Sequence, residues 1–467
     1  MPWMEPAPRT AAARIAVCGG GPSGLMAARL LAADGHDVTV LEAEAEIGGL
    51  CRSRVVDGWT FDMAGGHIMF TKDRRVAAFW DELFADEPCV TSQRRTRILH
   101  DRDHWVGYPF ENALGELPLE DNLECTEGVL QASLARDGST EPDNFHDWIR
   151  WKMGAGVARH FMEPYNRKIW KCADLREMGT SWIAGRVPDA PLEDVLRASL
   201  GQSTQGYTHQ AVFQYPLRGG FAAVHERIAR PIRARIRLGH RVQRIEPVAG
   251  GRFGTRGWQV DGERFDHVVS TLPLHALPGV LGGMDDAAAG AARGLRYRGL
   301  ASYLFGVDAD CVRPLSWVYL PHAWQGPANR ITYLSNYSPR NAPDGRGSIL
   351  AEVTYETGHE PDAGPAGRLE LARSLEGAGV LRADAVRVSD AHLNPAAYIF
   401  YDRGFEARRR LVLDALDALE GFHALGRFGR YEYHNSDQCL AQAIDLVDRL
   451  RPSLARGGGP AAPEPRA

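Results

Sequence analysis

The sequence predicts an α/β fold in which a Rossmann-like dinucleotide-binding domain is interrupted by a mostly helical insertion and joined to an antiparallel-sheet domain. Three observations predict it. A strand, a glycine turn, a helix and a second strand follow one another within residues 14–42. From about Ala113 to Leu200 glycines thin out, and Trp, Leu and Met recur at helical spacing among charged residues. Between Leu300 and Glu356, segments such as ASYLFGV, SWVYLP, NRITYLSNY and SILAEVTYE alternate as strands do.

A chain of 467 residues exceeds one ordinary core, so two or three domains sharing a ligand cleft are expected. The net charge of -5 leaves no excess of Lys and Arg to track a phosphate backbone, which excludes a general nucleic-acid binder. The seven cysteines stand singly, with no C-x-x-C pair, so neither a metal site nor a disulfide framework is expected. The N-terminus lacks a basic segment followed by an apolar run, and no stretch approaches the ~18 apolar residues of a spanning helix. A cytoplasmic protein without membrane contact is therefore expected, with loose ends at 1–13 and 456–467.

In chain order, Arg14 to Cys18 reads as a short apolar strand and Leu25 to Ala33 as a helix ending near Gly35. Asp37 to Glu42 reads as the second strand. Between the first strand and the helix, Gly19-Gly20-Gly21-Pro22-Ser23-Gly24 is a G-x-G-x-x-G turn. Bare glycine there lets the backbone approach a pyrophosphate, whose charge meets the helix N-terminus. Glu42, about 20 residues on, is the acid that takes a ribose hydroxyl pair. Gly19, Gly21, Gly24 and Glu42 are thus candidate cofactor residues. Glu46-Ile47-Gly48-Gly49-Leu50-Cys51-Arg52-Ser53 follows at once, adding Gly48, Gly49 and Arg52. This second part resembles the FAD motif of the large family that includes amine oxidases, carotene desaturases and the UDP-galactopyranose mutases, and FAD is the expected cofactor. The strand Arg241 to Ile245 and the segment Phe265 to Pro273 resemble the later strands of the same FAD domain, and Val242 joins the cofactor-binding set. A glycine-and-aromatic turn at Gly426 to Tyr433 then precedes an amphipathic helix from about Gln438 to Leu450.

Further segments resemble the UDP-galactopyranose mutase family, and its eukaryotic-type members most. Gly65-Gly66-His67-Ile68-Met69-Phe70 is similar to the segment that lies against flavin N5, and Tyr108-Pro109-Phe110 to a uridine-contacting one. Phe161-Met162-Glu163-Pro164-Tyr165-Asn166-Arg167-Lys168-Ile169-Trp170 matches Phe-Met-x-Pro-Tyr-Asn-x-Lys-x-Trp. The resemblance implies that Asn166 and Trp170 hold uridine, and that Arg186 and Arg330 bind the diphosphate. It further implies that Tyr337, Tyr398 and Tyr433 contact phosphate and that Arg427 faces the flavin. Gly66, His67, Arg186 and Arg330 are the candidate catalytic residues; Tyr108, Phe110, Asn166, Trp170, Tyr337, Tyr398 and Tyr433 are the candidate substrate contacts.

The function implied is interconversion of pyranose and furanose nucleotide sugars, UDP-galactopyranose to UDP-galactofuranose first. Reduced flavin N5 acts as nucleophile on the anomeric carbon without net redox. NADPH or NADH would be an occasional reductant. A UDP-sugar is the expected partner, and homo-oligomerisation is left open. Two departures bear on specificity: Glu111 stands where eukaryotic-type members have Gln, and Arg97 where they have a small polar residue near NADPH. Three other readings stay open: the same chemistry on another nucleotide sugar, an FAD-dependent amine oxidase or desaturase, and a relative that has lost catalysis. The expected division gives the FAD domain 12–110, 206–290 and 386–452, a helical substrate domain 111–205, a sheet substrate domain 291–385 and a tail 453–467.

Overall fold

Short apolar strands feeding a parallel sheet dominate the first part of the computed structural model, which describes residues 12–183, 186–187, 191–202, 211–248 and 257–455. Most of both expected loose ends lies outside these residues. The parallel sheet has five strands in the spatial order Phe422–Ala424, His267–Ser270, Arg14–Cys18, Asp37–Leu41 and Ile236–Arg237. Its central strand is fully buried from Ile15 to Cys18, as parallel strands covered on both faces are. The helix Pro22–Ala33 follows and buries Leu25, Met26, Ala27, Ala28, Leu30 and Leu31, packing against the helix Ser436–Ala455.

The second sheet has seven strands in the order Val386–Ile399, Tyr297–Asp308, Arg346–Tyr355, Arg330–Tyr333, Trp317–Tyr319, Thr96–Asp101 and His104–Gly107. Its pairs are antiparallel except Trp317–Tyr319 with Thr96–Asp101, which run parallel. The α/β architecture is as expected, with one redistribution: the strands at 96–107 and 386–399, placed by sequence with the cofactor domain, hydrogen-bond into this second sheet. Local strand character cannot reveal such long-range partners.

Between the sheets' contributions lie the helices Leu119–Ala135, Phe145–Val157, Glu163–Trp170 and Leu192–Ser199, with a π-helical turn at Ala158–Met162. The strand expected at Arg241 to Ile245 is not formed over 241–244. The N–H groups of Gln243 and Arg244 donate to Asp261 Oδ1 instead of to a neighbouring strand, and the ladder begins at Ile245–Val248. Among the described residues no helix is long and apolar enough to cross a membrane.

Candidate active site

The nucleotide cradle is built from two glycine turns pressed together. Gly48 N donates to Gly20 O at 2.8 Å, and a Cβ on Gly49 would come within 3.3 Å of Gly21 Cα. Gly24 allows the turn itself, since a Cβ there would sit 2.1 Å from Gly19 O. Gly21 caps the helix in an extended conformation, followed by Pro22, and the first turn carries no acidic side chain. The positive end of this helix is therefore left without a protein anion. Glu42, buried at the end of its strand, accepts from Gly20 N at 2.6 Å and from Glu44 N at 2.9 Å. Those bonds fix the carboxylate and leave it lone pairs for a ribose diol. Arg52 is held by Gly49 O and faces Glu44. Val242 is buried beside this end, where His240 N donates to Glu42 O.

Facing the cradle, the Gly65–His67 turn lies on the second sheet. A Cβ on Gly65 would meet Arg330 Nη2 at 3.0 Å and Glu352 Oε2 at 3.1 Å, and one on Gly66 would meet Thr332 Cγ2 at 2.5 Å. Asp62 anchors the turn from below. It accepts from Ser53 Oγ (2.7 Å), Tyr215 OH (2.9 Å), Phe221 N (3.1 Å) and His67 N (3.3 Å). Burial pushes its carboxyl up to about 6 despite those donors. The His67 ring stacks on Phe221 with centroids 5.1 Å apart. Burial, with His225, Arg330 and Arg427 adding to it, pushes its imidazole down to about 3, so it is neutral at physiological pH.

Two guanidinium groups, those of Arg330 and Arg427, act on His67, and a third, Arg186, adjoins Arg427 across Tyr433. Arg330 forms a bidentate pair with Glu352, its cross-strand partner, at 2.7 and 2.9 Å. Burial alone would weaken the Arg330 charge, but Glu352 and Tyr398 raise its pKa well above the usual value. Tyr398 OH reaches the same carboxylate at 3.4 Å. Arg427 donates to His434 O and Ala397 O. Arg186 donates to Asn435 Oδ1 and Gln438 Oε1. The Tyr433 ring lies between these two, 4.3 Å from the Arg186 guanidinium and 4.7 Å from that of Arg427. Beside them opens a cavity of about 320 Å³ lined by Ser181, Trp182, Arg186, Tyr401, Tyr433 and Gln438 among others.

Gly66, His67, Arg330, Arg427 and Tyr398 are thus brought together, with Arg186 and Tyr433 on the cavity side. Four expected substrate contacts are placed differently. Phe110 has no exposed surface and stacks on Phe161, because an all-carbon ring gains more from the core than from the cleft. Tyr337 is only 1% exposed, packed against Phe213 and Tyr215. Asn166 and Trp170 are buried and bonded to each other, the indole N–H donating to Asn166 Oδ1 while Asn166 Nδ2 donates to Met162 O. Both thus support the wall rather than present free faces. Tyr108 keeps partial exposure, its ring 5.0 Å from Tyr319.

Sequence reasoning passed over Glu352, Asp62, Tyr319 and Tyr401. Glu352 carried a legible signal, a lone carboxylate inside the apolar run SILAEVTY. Tyr319 is the other cross-strand neighbour of Arg330, which only register reveals.

The structure superposes on reduced UDP-galactopyranose mutase with a TM-score of 0.83 at 24% identity, over 96% of this chain and 98% of that one. It superposes on a CLA-producing fatty acid isomerase from P. acnes at 0.61 and 15%, over 94% and 98%. These likenesses establish the fold. Sequence relatives include putrescine oxidase from Kocuria rosea, 33% identical over 150 residues (29% of this chain, 30% of that one). A 4,4'-diapophytoene desaturase from Staphylococcus haemolyticus is 46% identical over 65 residues (14% and 13%). An uncharacterized protein of Methanothermococcus thermolithotrophicus is 48% identical over 60 residues (13% and 58%). The chain thus spans 58% or less of these curated relatives' lengths. The model of the family described as flavin containing amine oxidoreductase matches residues 22–374.

A flavin fits the residues present. The site of a Cβ on Gly21 has no protein atom nearer than 4.0 Å, the helix N-terminus is uncompensated, and the buried His67 Nδ1 and Arg427 Nε lack protein partners. With a family match covering well over half its length, this chain belongs to the flavin containing amine oxidoreductase family.

Proposed function

We propose that the protein is a nucleotide-sugar mutase that interconverts pyranose and furanose forms, with UDP-galactopyranose and UDP-galactofuranose as its substrate pair. The observation that carries this reading is the run of Arg330, Tyr398 and Arg427 beside the Gly65–His67 turn, extended by Tyr433 and Arg186 toward the cavity. Reduced flavin, when bound, supplies a nucleophilic N5 for the anomeric carbon and is regenerated when the sugar leaves. The chain's own residues hold the diphosphate leaving group. Arg330 and Arg186 offer fixed positive charge, and the tyrosine hydroxyls offer neutral donors. Burial, followed by Glu352, raises the Tyr398 pKa and keeps its hydroxyl protonated. His67, neutral and held by Phe221, lines the reaction floor without adding charge. Trp170, Trp182 and Tyr401 form an aromatic wall against water.

NADPH or NADH is the reductant proposed for start-up; Arg97 is paired with Glu116. The family and its putrescine oxidase relative favour amine oxidation as the second reading. Against it, the guanidinium groups of Arg186 and Arg427, which bond neutral side chains and carbonyls, repel a cationic amine, and Glu352 is already neutralised by Arg330. Titration of UDP into oxidised and reduced protein, followed by flavin fluorescence or heat, tests the reading. Binding in at least one redox state is expected, and absence of binding in both overturns it.

A further inference from the structure

We propose that His100, Asp121 and His160 form a zinc site that ties the helical insertion to the edge of the seven-stranded sheet. His100 comes from the strand Thr96–Asp101, Asp121 from the first turn of the helix Leu119–Ala135, and His160 from the π-helical turn Ala158–Met162. One ligand atom from each lies within 4.8 Å of the other two. His100 Nε2 is 2.8 Å from Asp121 Oδ2, and His160 Nε2 is 3.8 Å from Asp121 Oδ1. Tetrahedral zinc with bonds of about 2.0–2.1 Å sets its ligands roughly 3.4 Å apart. The two spacings to Asp121 lie on either side of that value, and the cluster as a whole, within 4.8 Å, closes onto it by side-chain rotation. Glu124 lies one turn beyond Asp121 on the same helix face and brings Oε2 to 3.0 Å from His160 Nε2, which supplies a further oxygen. Arg159 rests on Glu124.

Several features separate this cluster from an ordinary surface hydrogen-bond pair. His100 is 8% exposed and its Nδ1 has no partner, so its one engaged nitrogen is the one aimed into the cluster. The rings of His104, His160 and His322 lie 5.9, 5.5 and 6.2 Å from that of His100. A π-helical turn re-aims side chains that a regular helix would place elsewhere, and such turns gather at functional sites. The donor set of two imidazoles with carboxylates suits zinc. The sequence expectation of no metal had only motif spacing to rely on, and here 21 residues separate His100 from Asp121.

The site would stiffen the aromatic core that joins the helical insertion to the sheet edge. The His100 ring is 6.2 Å from Phe110, and Phe110 stacks on Phe161 at 5.3 Å, next to His160 in the chain. The test uses FAD-loaded protein stripped with chelator, incubated with zinc and separated from free metal. About one zinc per chain should remain in wild type, and its melting temperature should rise by a few degrees. His160→Gln and Asp121→Asn, at unchanged flavin content, should retain less than a tenth of the zinc and show no rise. If wild type retains none, or both variants retain as much as wild type, the site is wrong. Equal retention would place the zinc on other surface histidines.

Discussion

Arg186 and Arg330 are assigned the same task but stand in different environments, so their removal should have different consequences. Glu352 has no exposed surface, and its charge is balanced by the bidentate Arg330 alone, with Tyr398 OH at 3.4 Å. Arg330→Ala leaves a buried carboxylate uncompensated, which costs about 3–5 kcal/mol. Arg186 instead bonds the neutral side chains of Asn435 and Gln438 and covers Tyr433 near the surface, so Arg186→Ala should cost about 1 kcal/mol. The double variant Arg330→Ala/Glu352→Gln removes the stranded charge and should recover most of the loss. For UDP affinity both single variants should look alike, losing about 1.5–3 kcal/mol, or roughly 10- to 150-fold. Urea midpoints of the FAD-loaded proteins, with UDP titrations alongside, separate the two effects. Equal urea midpoints for Arg186→Ala and Arg330→Ala would refute the dependence of Glu352 on Arg330.

Three further outcomes are expected. Gly21→Val should fold yet purify colourless, because a Cβ there has its nearest protein atom, Gly49 Cα, only at 4.0 Å while the side chain fills the cradle, whereas Gly24→Ala should destabilise the chain by collision with Gly19 O; absorbance at 450 nm and melting curves distinguish them, and a yellow Gly21→Val protein would remove the cofactor from this turn. Asp62 is raised from 3.8 to about 6 in the fold, so its contribution is fully present below pH ~4 and lost as pH rises through ~6, about 3 kcal/mol in all; the stability difference between wild type and Asp62→Asn should shift by that amount over this window, and a flat difference would show that the four donors balance burial. Phe110→Ala should destabilise by about 3–5 kcal/mol through loss of a fully buried ring, as urea unfolding would report, and near-neutral stability would return Phe110 to the cleft.

Legibility in the sequence followed the range of the interaction. The cradle was readable because Gly19 to Gly24, Glu42 and Gly48 to Arg52 are short-range backbone requirements, written in residues that few other contexts demand. The two sheets were readable in kind but not in membership: the strands at 96–107 and 386–399 look alike whichever sheet takes them. Residue type marked Arg330 and Tyr398 but could not show whether a ring faces the cleft or the core, so Phe110 and Tyr337 were assigned to substrate while the structure buries them. Asp62 and Glu352 escaped because their importance lies in burial and in partners 159 residues or a strand register away, Phe221 N and Arg330. The His100, Asp121 and His160 cluster escaped for the same reason.

Dithionite-reduced protein incubated with UDP-galactopyranose and a panel of other nucleotide pyranoses, followed by chromatography for furanose products, addresses the proposed reaction itself. A furanose product should accumulate only with reduced flavin, with far less than one reductant consumed per turnover. No conversion of any nucleotide sugar, together with stoichiometric hydrogen peroxide from an amine or alkene substrate, would contradict the mutase reading and favour an oxidase.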